Sequence, residues 1–304
     1  MTVQIKRADN DGVLFIGRIV KSQCYLEKSI IEMYHREVRK MKIGFIGLGN
    51  MARAMIGGII SKAGVEPKDI YGSDISSAAA DEAALTYLIN TCTSNATVAE
   101  EADILFLAVK PQFMEEALKT FKDDVRKDCI VVSIAPGKTL AYFKENLGHK
   151  VKVVRCMPNT PALVGEGCTG CCKNEYVTEE DMEKVMKLLK SFGRAIEVPE
   201  SQMDAVVGVS GSAPAYVFMF IEAMADEAVA AGMPRSKAYE FAAQAVMGSA
   251  KMVLETGKHP GELKDMVCSP GGTTIQAVKV LEEKNFRGTV MDAIEACINK
   301  SKSL

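Results

Sequence analysis

Residues 43–52 read IGFIGLGNMA, and this stretch constrains the fold more than any other in the chain. An apolar run containing Ile43, Phe45 and Ile46 ends on Gly47-Leu48-Gly49-Asn50-Met51-Ala52, which fits G-x-G-x-x-(G/A). The following RAMIGGIISKAG reads as a helix that stops at Gly64. Strand, tight glycine turn and helix in immediate succession begin a βαβ unit whose turn can hold a pyrophosphate. Gly47 permits the turn, and Gly49 lets backbone approach a phosphate. The first N–H groups of the helix have no partner within it. An ordinary glycine turn in a parallel sheet has the same signature, so the rest of the chain must decide.

From 41 to about 200, apolar runs alternate with helical segments. KIGFIG, DIYGSD, DILFLAVK, CIVVSIAP, KVVRCMPN and AIEVP read as strands. SSAAADEAALTYL, QFMEEALKTFKDDV and EEDMEKVMKLLKSFG read as helices. The alternation predicts an α/β fold over 41–203: a Rossmann-type doubly wound, largely parallel sheet with helices on both faces. The loop after ADILFLAVKPQ falls at the carboxyl edge, where such folds bind ligands. After VPESQMDAVVGVSGSAP the periodicity is helical only, which predicts an all-helical domain over 204–304. Its first long helix, from Pro214 to about Ala231 with Ser212 as N-cap, is apolar nearly all round. Such a helix belongs in a deep core or a subunit interface. Glu222 and Asp226 stand one turn apart on it and read as partnered buried carboxylates, with metal or acid–base work as the alternative. The next helix runs to Gly257.

Composition narrows the partners. The 304 residues are 48% hydrophobic and 25% charged with a net charge of −2, which gives no reason to expect nucleic acid or an anionic membrane. The longest apolar candidate, APAYVFMFIEAMADEAVAAGM, is interrupted by Glu222, Asp226 and Glu227, so no membrane span is expected. Nine cysteines is an odd count, and the N-terminus carries no secretory signal. Reduced thiols in a cytoplasmic protein are the expectation. Cys168, Cys171 and Cys172 cluster, but no second C-x-x-C or His pair accompanies them, and His149 and His259 stand alone. No metal is expected.

A second constellation is CSPGGTTIQAV, 268–278. Pro270-Gly271-Gly272 makes a loop and Thr273-Thr274 begin an amphipathic helix, again aiming backbone N–H groups at an anion with a hydroxyl beside them. A plain Thr-capped helix behind a glycine turn is the alternative. From Met41 to about Lys300 the chain now resembles a known family, pyrroline-5-carboxylate reductase, which performs the last step of proline synthesis. The resemblance rests on IGFIGLGNMA, LAVKPQ, VVSIAPG, MPNTPALVGEG, VSGSAPAYVFMFIEAMADEAV, QAVMGSAKMVLETGKHPGELKDMVCSPGGTTIQAV and FRGTVMDAI.

That resemblance implies a Rossmann domain followed by a helical domain that interlocks two subunits into a homodimer or higher homo-oligomer. It implies reduction of 1-pyrroline-5-carboxylate to L-proline by NAD(P)H. Carried over by position, Ile46, Gly47, Leu48, Gly49, Asn50 and Met51 embrace the pyrophosphate, while Ser73 and Asn95 approach the adenosine end. Ala108, Val109, Lys110 and Pro111, with Ile134, Ala135 and Pro136, line the nicotinamide side. Gly271, Gly272, Thr273 and Thr274 hold the substrate carboxylate and ring, with Thr274 as the hydrogen-bond partner of the ring nitrogen and the catalytic candidate.

The chemistry is consistent with so modest a set. An imine needs a hydride at carbon and a proton at nitrogen, and a cyclic iminium is already electrophilic, so positioning supplies much of the rate. Asp74 ends the second strand, where a carboxylate binds the ribose 2′-OH of NAD and repels a 2′-phosphate. GSDISS carries no Arg or Lys to favour NADP, yet Ser73, Ser76 and Ser77 could accept a phosphate, so the choice between NADP and NAD stays open. A β-hydroxyacid-type dehydrogenase would need a Lys base on the helix 214–231, which has none. A non-enzymatic NAD(P) sensor would not need the SPGGTT loop. Residues 1–40 lie outside the resemblance and read as an upstream start or a loosely attached extension. Asp9, Asp11, Glu27 and Glu32 argue against a transit peptide.

Overall fold

The computed structural model describes residues 40–148 and 150–303. The expectation for residues 1–40 falls on residues outside this range but for the last, and His149 lies outside it too. Eight strands form one sheet in the order β3-β2-β1-β4-β5-β6-β7-β8. They are β1 (Ile43–Ile46), β2 (Ile70–Ser73), β3 (Asn90–Cys92), β4 (Ile104–Leu107), β5 (Ile130–Ser133), β6 (Lys152–Met157), β7 (Gly167–Lys173) and β8 (Gly193–Glu197). Every neighbouring pair is parallel except β6 and β7. The chain winds outward through β2 and β3, returns to β4 beside β1, and then winds the other way. That reversal creates a crevice at the carboxyl ends of β1 and β4.

The central strands are buried end to end, as crossover helices on a parallel sheet require. Phe45 and Phe106 stand in register on β1 and β4 and stack at 4.8 Å. Between the strands lie α1 (Asn50–Gly58), α2 (Ser77–Tyr87), α3 (Asn95–Glu101), α4 (Met114–Lys119), α5 (Leu140–Leu147) and α6 (Glu179–Leu189). A π turn, Ile59–Ala63, extends α1 to Gly64, whose φ of 75° ends the helix as expected. Two strands escape a reading by apolar runs. β3 is a polar edge strand, and β7, GCTGCCK, holds the cysteine cluster in the sheet. Residues 112–125 hold a shorter helix than expected, Met114–Lys119.

No strand lies among the described residues after Glu197. The helices are α7 (Met203–Val206), α8 (Ala213–Ala230), α9 (Arg235–Thr256), α10 (Pro260–Val267), α11 (Thr273–Glu283) and α12 (Phe286–Lys302). α8 and α9 form a packed pair, and α12 returns onto the turn 207–211. There Gly208 is required by close approach, since a Cβ would lie 2.9 Å from Ile298 Cγ1. Ser301 Oγ donates to Asp204 Oδ1 at 2.7 Å and fastens the last helix to α7.

α8 corrects two expectations. Ala225 is its one buried residue, while Phe218 and Met219 are 61% and 68% exposed. A deep core is therefore excluded within the chain, and a subunit interface is left. Glu222 and Asp226 are exposed, not buried, and Asp226 pairs with Arg235. By length and composition alone the helical run Glu200–Ala230 is apolar enough to cross a membrane, a test that an apolar core helix also passes.

Candidate active site

In-register pairing brings the expected loops to one place. Ile46 stands opposite Ser73 on one side and Leu107 on the other, and Leu107 opposite Ser133. The segments 47–51, 74–77, 108–111 and 134–136 therefore all leave the same carboxyl edge. Gly47 has φ +93°, and a Cβ there would lie 2.8 Å from the Ala108 carbonyl oxygen. Its N–H donates to Ser73 O at 2.8 Å, and Ala108 N–H donates to Ile46 O at 2.8 Å. The turn is thus knitted to both neighbouring strands.

Gly49 is the opposite case. Its backbone is extended, it N-caps α1 without any side-chain cap, and a Cβ there would meet nothing within 4 Å. The first intrahelical bond is Arg53 N–H to Gly49 O at 3.0 Å, so the N–H groups of Asn50, Met51 and Ala52 precede the ladder. An open cradle above an uncapped helix N-terminus fits a pyrophosphate, and these residues fit the dinucleotide. Ala52, 1% exposed, lets the helix pack close to the sheet.

The structure refines the residue assignments. Ile46, Leu48 and Ala135 have buried side chains, so only their backbone can face a ligand. Ala108, Val109, Pro111, Ile134 and Pro136 are half-buried and Lys110 is exposed, giving an apolar wall with a charged rim. Ser73, expected at the adenosine end, has no exposed surface, and its hydroxyl donates to Asn95 Oδ1 at 2.6 Å. Asn95 Nδ2 in turn donates to Thr120 Oγ1 at 2.9 Å. The pair braces the end of β2 against α3, and burial of the Ser73 side chain leaves only its backbone to face a ligand. Asp74 Oδ2 accepts from Leu48 N–H at 2.8 Å and Oδ1 accepts from Ser76 N–H at 2.8 Å. The carboxylate is thus tied to the glycine turn and to the loop that follows β2.

The SPGGTT loop forms as read. Gly271 has φ +69°, Gly272 N-caps α11 with no side-chain cap, and a Cβ on Gly272 would lie 2.4 Å from Ser269 Oγ. The cap is Gly272, so the alternative of a Thr-capped helix is set aside. Thr273 is exposed and Thr274 half-buried. Within the chain α11 packs mainly on α12 and buries none of its own residues.

Two residues were not singled out from sequence. Asn159, 8% exposed, accepts from Cys168 N–H at 2.8 Å and donates to Ser210 O at 3.1 Å, joining the sheet to the turn before α8. Arg53 reaches from α1 to Leu48 O and to Glu82 on α2. The spacing of Arg53 on a helix just past a glycine motif is the one signal that could have found it.

Three buried thiols are held protonated. Burial pushes Cys129 and Cys172 up to about 12 and Cys156 well above its ordinary value. No group of three or more His, Cys, Asp or Glu poised for a metal occurs among the described residues. His259 caps α10, its Nδ1 accepting from Gly261 N–H at 3.0 Å.

Residues 200–304 match the family model for pyrroline-5-carboxylate reductase dimerisation. Residues 42–137 match that for NADP oxidoreductase, coenzyme F420-dependent. The chain is 54% identical over 267 residues to pyrroline-5-carboxylate reductase of Escherichia coli (strain K12), covering 86% of this chain and 98% of the relative. A pyrroline-5-carboxylate reductase structure from Coxiella burnetii is similar with a TM-score of 0.81 and 35% identity, covering 87% and 98% of the two chains. That of Plasmodium falciparum pyrroline carboxylate reductase with NADP bound is similar with a TM-score of 0.79 and 34% identity, covering 86% and 97%.

Proposed function

The chain belongs to the pyrroline-5-carboxylate reductase family, and from that premise we propose how its residues divide the work of reducing 1-pyrroline-5-carboxylate to L-proline. The nicotinamide dinucleotide, when bound, supplies the hydride. The observation that carries our assignment is the open cradle at Gly49 above the N-terminus of α1. Backbone N–H groups of Gly49 to Ala52 hold the pyrophosphate. The segments 108–111 and 134–136 wall the nicotinamide side and exclude water from it, as their half-buried apolar side chains allow.

Gly271 and Gly272 give the substrate carboxylate the N-terminus of α11, and Thr273 and Thr274 border the ring. Thr274 Oγ1 holds a proton at the ring nitrogen as the imine carbon is reduced. A hydroxyl suffices because the nitrogen of the forming amine is itself basic. α8 contains no Lys, which removes the base that a β-hydroxyacid-type dehydrogenase would need.

Two domains follow from this division, a dinucleotide-binding domain over 41–203 and a helical substrate and dimerisation domain over 204–304. α11 packs mainly on α12, and α8 leaves its apolar surface uncovered. Both observations support a homodimer or higher homo-oligomer in which a second copy covers α8 and the helical domains interlock. The free thiols among the described residues support a reducing, cytoplasmic setting.

The deciding assay incubates purified chain with 1-pyrroline-5-carboxylate and NADH or NADPH, following cofactor absorbance and L-proline together. Proline should form with at least one cofactor. No proline with either would overturn the assignment.

A further inference from the structure

We propose that Arg53 is a positioning residue that aims the glycine turn at the dinucleotide pyrophosphate, acting through the Leu48–Gly49 peptide. This rests on the assignment of the Gly49 cradle made above. Leu48 is fixed at three points. Its side chain packs so closely on β2 that a Cβ at Gly72 would lie 2.8 Å from Leu48 Cδ2. Its N–H donates to Asp74 Oδ2 at 2.8 Å. Its carbonyl oxygen accepts from Arg53 Nε at 2.9 Å. The two consecutive peptides of the turn are therefore held by opposite charges, the first by a carboxylate and the second by a guanidinium.

Peptide planarity turns this into an aiming device. In a trans peptide the C=O and the next N–H point in opposite directions. Holding Leu48 C=O toward Arg53 therefore points Gly49 N–H the other way. Gly49 has no side chain to resist rotation of that peptide, and nothing lies within 4 Å of its Cβ position. Without the guanidinium the peptide gains a second orientation, and cofactor binding must select one of them.

The guanidinium is itself well seated. Nη1 pairs with Glu82 Oε1 at 2.6 Å, Nη2 donates to Ala79 O at 3.4 Å, and the side chain is 20% exposed. With its nitrogens committed to Leu48 and α2, Arg53 serves the phosphates common to NADH and NADPH and not the 2′-phosphate. The prediction is thus symmetric between the two cofactors, which a 2′-phosphate contact would not be.

The test uses Arg53→Met, which keeps an apolar stem and removes the donors, and Arg53→Lys, which can reach one acceptor but cannot fork to two. Kd for NADPH and for NADH is read by fluorescence titration, beside thermal unfolding and the steady-state constants. Arg53→Met should raise both Kd values by about tenfold, the scale of one charge-assisted hydrogen bond. kcat at saturating dinucleotide and KM for the imine should stay within about twofold. Arg53→Lys should fall between, and carries the same comparison should Arg53→Met not fold. Weakening of NADPH alone would overturn the proposal in favour of a 2′-phosphate contact, and a lower Tm with unchanged Kd would overturn it in favour of a purely structural role. Gly49→Val separates the two levels. If it abolishes binding while Arg53→Met does not weaken it, the cradle stands and the positioning role falls. If Gly49→Val binds normally, the cradle fails and the proposal with it.

Discussion

The two glycines of the turn predict opposite phenotypes from the same substitution. Gly47→Ala places a Cβ at φ +93°, 2.8 Å from the Ala108 carbonyl oxygen, which belongs to rigid backbone beside β4. The unfavourable φ and the backbone overlap together cost the folded state about 2–4 kcal/mol. Gly49→Ala meets no atom within 4 Å and has φ −70°, which any residue adopts. Its cost to folding is that of a poorer N-cap, under about 1 kcal/mol. The open space, however, is where the pyrophosphate must approach, and a methyl there holds it off by about an ångström. Two charge-assisted hydrogen bonds lost at 1.5–3 kcal/mol each give about 3–6 kcal/mol, a rise in Kd of about 100-fold or more. Thermal unfolding and NADPH fluorescence titration on both variants separate the effects. A Gly49→Ala chain that binds NADPH within about threefold of wild type would refute the cradle, because a cost near 3 kcal/mol was required.

Asp74→Ser removes a charge from the adenosine end, so kcat/KM with NADPH should rise relative to NADH. Because the carboxylate also accepts from Leu48 and Ser76, Kd for both cofactors should rise, and an unchanged cofactor ratio would count against the charge argument. Thr274→Val should lower kcat for imine reduction by about 2–4 kcal/mol of transition-state stabilisation while NADPH Kd holds, and Thr274→Ser should retain most activity. A Thr274→Val enzyme as fast as wild type would move proton delivery elsewhere. Burial opposes the charge of Asp181, but hydrogen bonds from Lys152 and Thr178 outweigh it and hold the carboxyl below the usual range. A depressed folded value means stability present above the unfolded pKa and lost as pH falls through the folded one. Asp181→Asn should therefore cost about 1–2 kcal/mol near neutrality by urea unfolding. That gap should close only below the ordinary Asp value of about 4, and a pH-independent gap would refute the assignment.

Periodicity was enough wherever an element is buried on both faces or carries its own punctuation. β1, β4 and β5 are continuous apolar runs, and α9 ends at Gly257, where φ is +64°. β3 and β7 escaped for a physical reason. Their residues, NTC and GCTGCCK, are small or polar, and each strand owes its place to the register of a neighbour. The site divides in the same way. Loops whose geometry depends on glycine declare themselves, since little else tolerates φ +93° or φ +69°. For Ser73, the resemblance places it at the carboxyl edge but cannot say that its hydroxyl turns inward to Asn95. Arg53 is only weakly legible because its partners lie on two separate segments, Leu48 in the glycine turn and Ala79 with Glu82 on α2.

This pattern follows from the reaction. Hydride delivery to a cyclic imine needs no tuned acid, nucleophile or metal from the protein, so most of the rate must come from holding two molecules in one geometry. Backbone N–H groups at helix N-termini do that with little reorganisation, and glycine turns are what let a ligand reach them. In the site proposed above, the ligand contacts fall where side chains are absent, at Gly47, Gly49, Gly271 and Gly272, and two charged side chains serve the first of these turns. Asp74 and Arg53 each spend hydrogen bonds on the peptides of Leu48. α8 extends the same logic to the whole molecule. α8 packs on α9 within the chain yet fully buries Ala225 alone, so the proposed second copy would add most of its apolar burial. Its uncovered face lies in the same helical region as the SPGGTT loop, so the assembly and the substrate binding proposed above draw on one set of helices. Loss of the interface should for that reason cost activity before it costs the Rossmann fold, whose core of Leu105, Leu107, Val131 and Phe143 is complete without it.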